Sequence, residues 1–104
     1  MLTLTIEWDA DNRRHFAEHG RCSAVQVEEI VLSACHASRR RRQEQRDPRK
    51  NARFRYEGQT CSGRYLVVIA EQNDSTTIRP VTCWPLVGPA RKSYLSWRRT
   101  TKSR

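Results

Sequence analysis

The fold is decided by "RFRYEGQTCSGRYLVVIAE", residues 53–71, in which two strand patterns flank a turn. Phe54 and Tyr56 alternate with charged residues, which is the period of a strand with one apolar face. The polar segment after them predicts a turn, and the nearly unbroken apolar run that follows is typical of a central strand. We therefore expect two neighbouring strands, with Arg53 and Arg55 side by side on one face of the first.

The residues after this stretch predict one more strand and a helix. Residues 77–84, "TIRPVTCW", have the composition of a strand. Because Pro80 has no N–H to donate, this strand lies at an edge of the sheet or contains a bulge. Pro89 suits the first turn of a helix on which Tyr94 and Trp97 share a face.

The residues before it begin with a strand and a helix. Leu4, Ile6 and Trp8 alternate with polar residues, which predicts a strand. Asp9 is a suitable N-cap and Gly20 a suitable end, so a helix of about ten residues lies between them.

A polar stripe lies on this first helix, and a second helix follows it. Asn12, Phe16 and His19 share one helical face, so we expect Asn12 and His19 to tie the helix to the sheet. Ser23 and Gln26 have the spacing of a capping box, which predicts a second helix that runs to about residue 35.

This layout predicts an α+β domain with a small antiparallel sheet of three or four strands, packed against two N-terminal helices and one C-terminal helix. We expect one domain over residues 1–98 and a basic tail over 99–104. The apolar faces of the strands would be covered by residues of the first two helices. The strand residues are Leu4, Ile6, Phe54, Val67 and Ile69, and the covering residues are Phe16, Val27 and Ile30.

The charge of the chain indicates a polyanionic partner. Twenty Lys and Arg face eleven Asp and Glu, a net charge of +9, and Lys50, Lys92 and Lys102 are the only lysines. Arginine presents a planar fork that matches phosphate bidentately, so nucleic acid is the partner that fits best. A genome-wide preference for Arg over Lys would raise the arginine content, but it does not explain the excess over acidic residues.

The most basic segment spans residues 38–52, which we predict to be a mobile loop. It contains almost no apolar residues, and the Asp47-Pro48 pair disfavours a helix there. Two functions fit it equally, a solvated linker and an arm that steers phosphate groups. In the second case the RNA-binding residues are Arg39, Arg40, Arg41 and Arg42, with Arg55 on the neighbouring strand.

The cysteines and the distribution of apolar residues indicate in which cellular compartment the protein is found. Cys22, Cys35, Cys61 and Cys83 could form two bridges, but without a recognisable secretory signal we expect reduced thiols and a cytoplasmic protein. The sequence contains no long apolar run, so we expect no membrane contact. We also expect no metal and no cofactor, because the histidines and cysteines lack the spacing of a zinc site.

Five motifs, in order, resemble the BrnT toxins of bacterial type II toxin–antitoxin pairs. Two of them, W-D and N…H-G, lie in "IEWDADNRRHFAEHG" (6–20). The other three lie in "RFRYEG" (53–58), "GRYLVVIAE" (63–71) and "IRPVT" (78–82). The resemblance covers residues 6–95 apart from a longer basic loop. It implies a RelE-like fold, a metal-independent ribonuclease that blocks translation, and neutralisation by a BrnA-type ribbon-helix-helix antitoxin, through which alone the complex binds operator DNA.

The same resemblance suggests catalytic residues. Metal-free RNA cleavage needs a base for the 2′-hydroxyl and cations at the phosphate. Glu71 is the candidate base, or equally a strand-end partner for an arginine. Arg53, Arg64 and Arg79 are the candidate phosphate clamp, against ordinary surface salt bridges. His19 is a candidate for proton transfer, or a structural cap.

Two positions depart from the family pattern. Many relatives have a lysine where this chain has Glu18, and an arginine where it has Trp84. Two alternatives to the ribonuclease therefore stay open. One is a catalytically lapsed relative that binds RNA or ribosomes, and the other is a subunit whose charge serves an acidic segment of an antitoxin.

Overall fold

The computed structural model describes residues 4–19, 22–44 and 49–102, which form an α+β fold as predicted. In chain order the elements are β1 (Thr5–Ile6), α1 (Ala10–His19), α2 (Ala24–Val31), β2 (Arg39–Arg42), β3 (Ala52–Gln59), β4 (Tyr65–Gln72), β5 (Thr77–Pro85) and α3 (Gly88–Lys102). The strands make one sheet in the order β1-β5-β4-β3-β2, which is five strands rather than the predicted three or four, because β2 lies in a segment that we predict to be a loop. Only the short β1 runs parallel to its neighbour, β5, so the sheet is mostly antiparallel.

The predicted hairpin of residues 53–71 is the centre of this sheet. β3 and β4 pair along their whole lengths, from Ala52 opposite Gln72 to Gln59 opposite Tyr65. The turn between them contains Gly63, whose φ of 101° is left-handed and therefore suits glycine.

The last strand contains the irregularity that its proline predicts. Ile69 pairs with Thr82 but Ala70 pairs with Pro80, so Val81 is an extra residue in β5. This bulge confirms the prediction, because it lets a residue without an N–H lie inside a sheet.

Asn12 fastens α1 to the sheet, as predicted. Its backbone N–H donates to Asp9 Oδ1 at 2.9 Å, and its Nδ2 donates to the carbonyl of Pro80 in β5 at 3.1 Å. His19 is exposed at the end of α1, and His15 instead reaches the sheet, with Nε2 3.3 Å from Thr82 Oγ1. The predicted anchoring role is therefore confirmed for Asn12 and wrong for His19, while Gly20 lies outside the described residues.

The second helix starts as predicted and stops early. Ser23 Oγ accepts from the Gln26 backbone N–H, and Gln26 Oε1 accepts from the Ser23 N–H, which completes the capping box. The helix ends at Val31 rather than near Cys35, and the backbone then turns through Ser33 with a positive φ of 52°.

Helices cover both faces of the sheet. Phe16, Val27 and Ile30 pack with Tyr56 and with the alternate apolar residues of β4 on one face. The other β4 residues, Val67 and Ile69, pack with Leu86 and with Tyr94 of α3. We expected Val67 and Ile69 under the first two helices, which is wrong because successive strand residues point to opposite faces.

The basic segment is partly a strand, where we predicted a loop. Arg39–Arg42 pair antiparallel with residues 54–57 of β3 and form an edge of the sheet. Backbone hydrogen bonds and a buried carboxylate, Glu57, offset the lack of apolar side chains in this strand. The Gln43 backbone N–H also donates to the carbonyl of Arg53 at 2.8 Å, and Ala52 belongs to β3. Residues 45–48 of the segment lie outside the described ranges, and the mobility of residues 44–51 stays a prediction.

The last helix is longer than we expected. It spans Gly88–Lys102, so most of the predicted basic tail is helical. Its buried Tyr94 donates a hydrogen bond of 2.6 Å from its hydroxyl to the carbonyl of Ala37, which joins α3 to the segment before β2. Within the described ranges no helix combines the length and the apolar character that crossing a membrane requires.

Two disulfides replace the predicted free thiols. Cys22 is bonded to Cys83 with Cα atoms 6.7 Å apart, and Cys35 to Cys61 with Cα atoms 5.2 Å apart. The prediction of reduced cysteines is wrong because the fold brings together residues that are 61 and 26 positions apart. The two bonds hold both ends of α2 against the sheet, and the cytoplasmic location stays a prediction.

Candidate nucleic-acid interface

Three of the five predicted catalytic residues form one row across the sheet. Arg53 on β3, Glu71 on β4 and Arg79 on β5 are direct cross-strand partners. Glu71 Oε1 is 3.8 Å from Arg53 Nη2 and 3.8 Å from Arg79 Nη1. The Glu71 side chain is 21% exposed and that of Arg53 40% exposed, so the row opens to solvent. A carboxylate thus lies between two guanidinium groups on the face that α3 covers further along.

Arg79 is the most firmly held member of the row. Its Nε and Nη2 donate to the two carboxylate oxygens of Asp9 at 2.8 and 3.2 Å, and its Nε is 4.0 Å from Glu7 Oε1. The hydrogen bond from Arg79 and that from the Asn12 backbone lower the pKa of Asp9 from 3.8 to about 2. The bond to Asp9 also raises the pKa of Arg79. Arg79 is therefore preorganised beside Glu71, although Asp9 occupies its fork.

A second carboxylate cluster lies on the same face, and the sequence did not reveal it. Glu57 of β3 is fully buried, and three arginines surround its carboxylate. Arg39 Nε donates to Oε1 at 2.8 Å, Arg41 Nη2 to Oε2 at 2.9 Å, and Arg55 approaches the same Oε2 with Nε at 3.1 Å and Nη2 at 3.0 Å. One negative charge is thus shared among three positive ones.

Aromatic rings and the helix α3 complete this cluster. The Arg55 guanidinium lies 5.8 Å from the centre of the Trp84 ring, and that of Arg39 lies 6.0 Å from Trp97. Burial raises the pKa of Glu57, but the hydrogen bonds from Arg39 and Arg55 outweigh burial and hold this pKa below its ordinary value. Glu57 therefore remains ionised at neutral pH, as its three partners require.

The structure places two predicted catalytic residues away from the row. Arg64 precedes β4, seven residues from Glu71, which corresponds to roughly 23 Å of extended strand. Its Nη1 donates to Gln26 Oε1 at 2.9 Å, near the start of α2. His19 lies at the end of α1, where its ring centre is 4.5 Å from that of His15. The expected convergence of Arg64 with Arg53 and Arg79 on one phosphate is therefore wrong.

The predicted RNA-binding arginines divide between the two faces of β2. Arg39 and Arg41 point towards Glu57, whereas the alternate residues Arg40 and Arg42 point to the opposite face and therefore lie outside the site around Glu57. The guanidinium of Arg40 lies 4.5 Å from the centre of the Phe54 ring there. Arg39 is only 14% exposed, while Arg41 is 52% exposed, so Arg41 is the better candidate for contact with a ligand.

The two departures from the family pattern have different surroundings. Trp84 lies beside Arg55 in the cluster around Glu57, so the position that is an arginine in many relatives contacts an arginine here. Glu18 is exposed on α1. Among the described residues there is no group of three or more His, Cys, Asp and Glu side chains that could hold a metal ion.

One signal in the sequence could have revealed the second cluster. Arg53, Arg55 and Glu57 follow one another at intervals of two, as do Arg39 and Arg41. In a strand this spacing places charges on one face. We did not predict a strand at residues 39–42 because that segment has no apolar face, and the partner of Glu57 was therefore missed.

Comparison with known proteins identifies no family. The chain matches no protein-family model, no curated protein and no solved structure. The resemblance to BrnT toxins, and with it the RelE-like character of the fold, stays a prediction from the motifs alone.

Proposed function

We propose that the protein is a metal-independent endoribonuclease of the type II toxin class, which cleaves RNA at the Arg53–Glu71–Arg79 row and so blocks translation. The row carries the proposal because it sets a partly exposed carboxylate between two cations on adjacent strands. Cleavage by the 2′-hydroxyl of RNA requires this combination of a base with positive charge at the phosphate. The net charge of +9 favours an RNA substrate.

In the proposed reaction Glu71 accepts the proton of a 2′-hydroxyl. The 2′-oxygen then forms a bond to the adjacent phosphorus, and the bond from phosphorus to the 5′-oxygen breaks. The leaving 5′-oxygen takes a proton from water, since His19 lies elsewhere. Arg53, the more exposed arginine, stabilises the charge that gathers on the phosphate, while Arg79 helps to hold the Glu71 carboxylate in place.

The products provide a direct test. Purified protein is incubated with a structured RNA and with a single-stranded RNA, with and without a chelator. We expect fragments that end in 2′,3′-cyclic phosphate and 5′-hydroxyl groups, and equal rates in the presence of the chelator. Growth arrest on induction in bacteria, with new RNA 5′ ends, should accompany cleavage. Intact RNA under all conditions, or fragments with 5′-phosphates, would contradict the proposal.

A second candidate function is RNA or ribosome binding without cleavage. Asp9 already accepts hydrogen bonds from Nε and Nη2 of Arg79, and Glu71 lies between two arginines. A structural ion-pair network has the same features. In this case RNA binding is retained and no fragments form. The same incubation therefore separates the two candidates.

For the partner we propose a BrnA-type ribbon-helix-helix antitoxin that brings the complex to operator DNA. An acidic antitoxin segment would find complementary charge at Arg41 and Arg53, which are 52% and 40% exposed. Co-expression with a neighbouring ribbon-helix-helix gene should then give a stable complex and abolish growth arrest. Independent purification of the two proteins would rule out this partner.

A further inference from the structure

The arginines around Glu57 carry more positive charge than its carboxylate neutralises. Three guanidinium groups lie within hydrogen-bond distance of its one carboxylate, which leaves two positive charges in excess. Like charges held side by side repel one another, and partial burial weakens the screening that water provides. The cluster is therefore stabilised by any anion that reaches its open side.

The open side belongs to Arg41 and Arg55. Arg39 is only 14% exposed and also donates to Ser93 of α3 at 3.2 Å, so α3 covers it. Arg41 and Arg55 are cross-strand partners and are 52% and 25% exposed. Both reach the same oxygen of Glu57 within 3.0 Å, so their guanidinium groups are neighbours. Each brings five N–H donors, far more than one carboxylate oxygen can accept.

We propose that Arg41 and Arg55 form a phosphate-binding subsite, oriented by the buried carboxylate of Glu57. The two forks present their remaining N–H groups to one phosphate, and Glu57 acts as a positioning residue that fixes them before the ligand arrives. This preorganisation matters because a free arginine side chain loses rotamer freedom on binding, whereas these two have already lost it.

The position of the subsite connects it with the candidate catalytic row. Arg53 and Arg55 are two residues apart on β3, which corresponds to roughly 7 Å along the strand. Neighbouring phosphates of an extended single strand have a comparable separation. The subsite thus binds the phosphate next to the one that is cleaved, and this inference rests on the proposed function because it takes RNA as the ligand.

A matched pair of variants tests the subsite. Arg41→Ala and Arg42→Ala each remove one positive charge from β2, but the first lies in the subsite and the second on the opposite face. The probe is a labelled single-stranded 2′-O-methyl RNA of about ten nucleotides, a length typical of single-strand binding sites, which lacks the nucleophile and cannot be cleaved. Affinity is measured by fluorescence anisotropy at fixed salt.

We expect Arg41→Ala to weaken binding about tenfold, as for the loss of a charged hydrogen bond, and Arg42→Ala to stay within about threefold. Arg41→Lys should also lose affinity although it keeps the charge, because the fork is lost. Equal effects of Arg41→Ala and Arg42→Ala would overturn the subsite and leave the proposed function intact. A wild-type protein that does not bind the RNA would overturn both.

The positioning role of Glu57 has its own readout. We compare the RNA affinity of proteins with Arg41 and with Arg41→Lys, both in the wild type and in the Glu57→Gln variant. In the Glu57→Gln variant the ratio of these two affinities should shrink towards one, because the guanidinium group of Arg41 is no longer held in place. A merely structural role would leave that ratio as it is in the wild type and would overturn the positioning role. If Glu57→Gln does not fold, the comparison of Arg41→Ala with Arg42→Ala still decides whether the subsite exists.

Discussion

Glu57 and Glu71 lie on the same face of the same hairpin, yet their surroundings differ. Glu57 is fully buried and accepts hydrogen bonds of 2.8–3.1 Å from three arginines. Glu71 is 21% exposed and is 3.8 Å from each of its two arginines, beyond hydrogen-bond distance. Both oxygens of Glu57 are thus occupied by arginines, whereas among the described residues no arginine donates a hydrogen bond to Glu71.

Because of this difference, we expect the two carboxylates to have different roles. A buried carboxylate whose oxygens are occupied cannot take a proton from a substrate without losing its partners, but it can fix the geometry of the arginines around it. A partly exposed carboxylate that accepts no hydrogen bond from the arginines beside it is able to exchange a proton with a substrate. The comparison therefore predicts that Glu57 matters most for stability and ligand positioning, and Glu71 for chemistry.

The largest expected effect is on stability. Glu57→Gln should lower the free energy of unfolding by about 3–5 kcal/mol, because it leaves three arginines near a neutral group in a buried site. Glu71→Gln should cost less than about 1 kcal/mol, as expected for a partly exposed pair. Urea unfolding followed by tryptophan fluorescence measures both values. Similar losses in the two variants would break the distinction between the clusters.

The disulfides should have the next largest effect, and an uneven one. Cys61 follows β3 only four residues after Glu57, and its bond to Cys35 ties that end of the hairpin to α2. Removing both cysteines as Cys35→Ala and Cys61→Ala should lower stability by about 2–4 kcal/mol. Hydrogen exchange should then rise near Glu57 more than near Glu71. A melting temperature that reductant does not change would contradict a structural role for these bonds.

The contrast between the two clusters also shows what the sequence could predict. The hairpin of residues 53–71, the α1 cap at Asp9 and the bulge at Pro80 follow from local patterns, and the structure confirms them. The Arg53–Glu71–Arg79 row could be anticipated because all three residues belong to predicted strands. Local patterns thus predict the centre of the sheet, but they group Arg64 with Arg53 and Arg79 and do not show that Glu71 pairs directly with the latter two.

The remainder depends on pairings between distant segments. β2 has no apolar face, so only its register with β3 shows that Arg39 and Arg41 meet Glu57. Arg64 lies at the opposite end of β4 from Glu71 because of the length of that strand. The motif resemblance gives no information on this distance. The cysteine pairs likewise depend on where α2 lies, because their members are 61 and 26 residues apart.

Acid should weaken the ion pair between Asp9 and Arg79, at one end of the Arg53–Glu71–Arg79 row, before the pH reaches 2. Because Asp9 has a pKa of about 2 in the folded protein and 3.8 ordinarily, its contribution to stability is complete above pH 3.8 and is lost as the pH falls towards 2. The lowered pKa of Glu57 acts in the same direction, below its ordinary value of 4.5. Asp9→Asn should flatten this part of a stability curve measured by urea unfolding. An unchanged slope would contradict the Asp9–Arg79 contact.

The smallest expected effect belongs to Arg64. We expect Arg64→Lys to leave RNA cleavage and RNA affinity unchanged within experimental error, because Arg64 lies at the other end of β4 and contacts Gln26. Arg53→Lys is the matched comparison, since it also keeps the charge but lies in the row. A large loss of cleavage in Arg64→Lys together with normal activity in Arg53→Lys would move the site to the opposite end of the hairpin.

The single-turnover rate of RNA cleavage by Glu71→Gln shows whether Glu71 is the general base. With protein in excess over the RNA, we expect this rate to fall by about 10²-fold or more, as for the loss of a general base. RNA affinity should stay equal or rise, since a negative charge near the phosphate is removed. Glu18→Gln, the same change at an exposed glutamate of α1, should cleave like the wild type. A Glu71→Gln variant that cleaves RNA at the wild-type rate would show that Glu71 is not the general base.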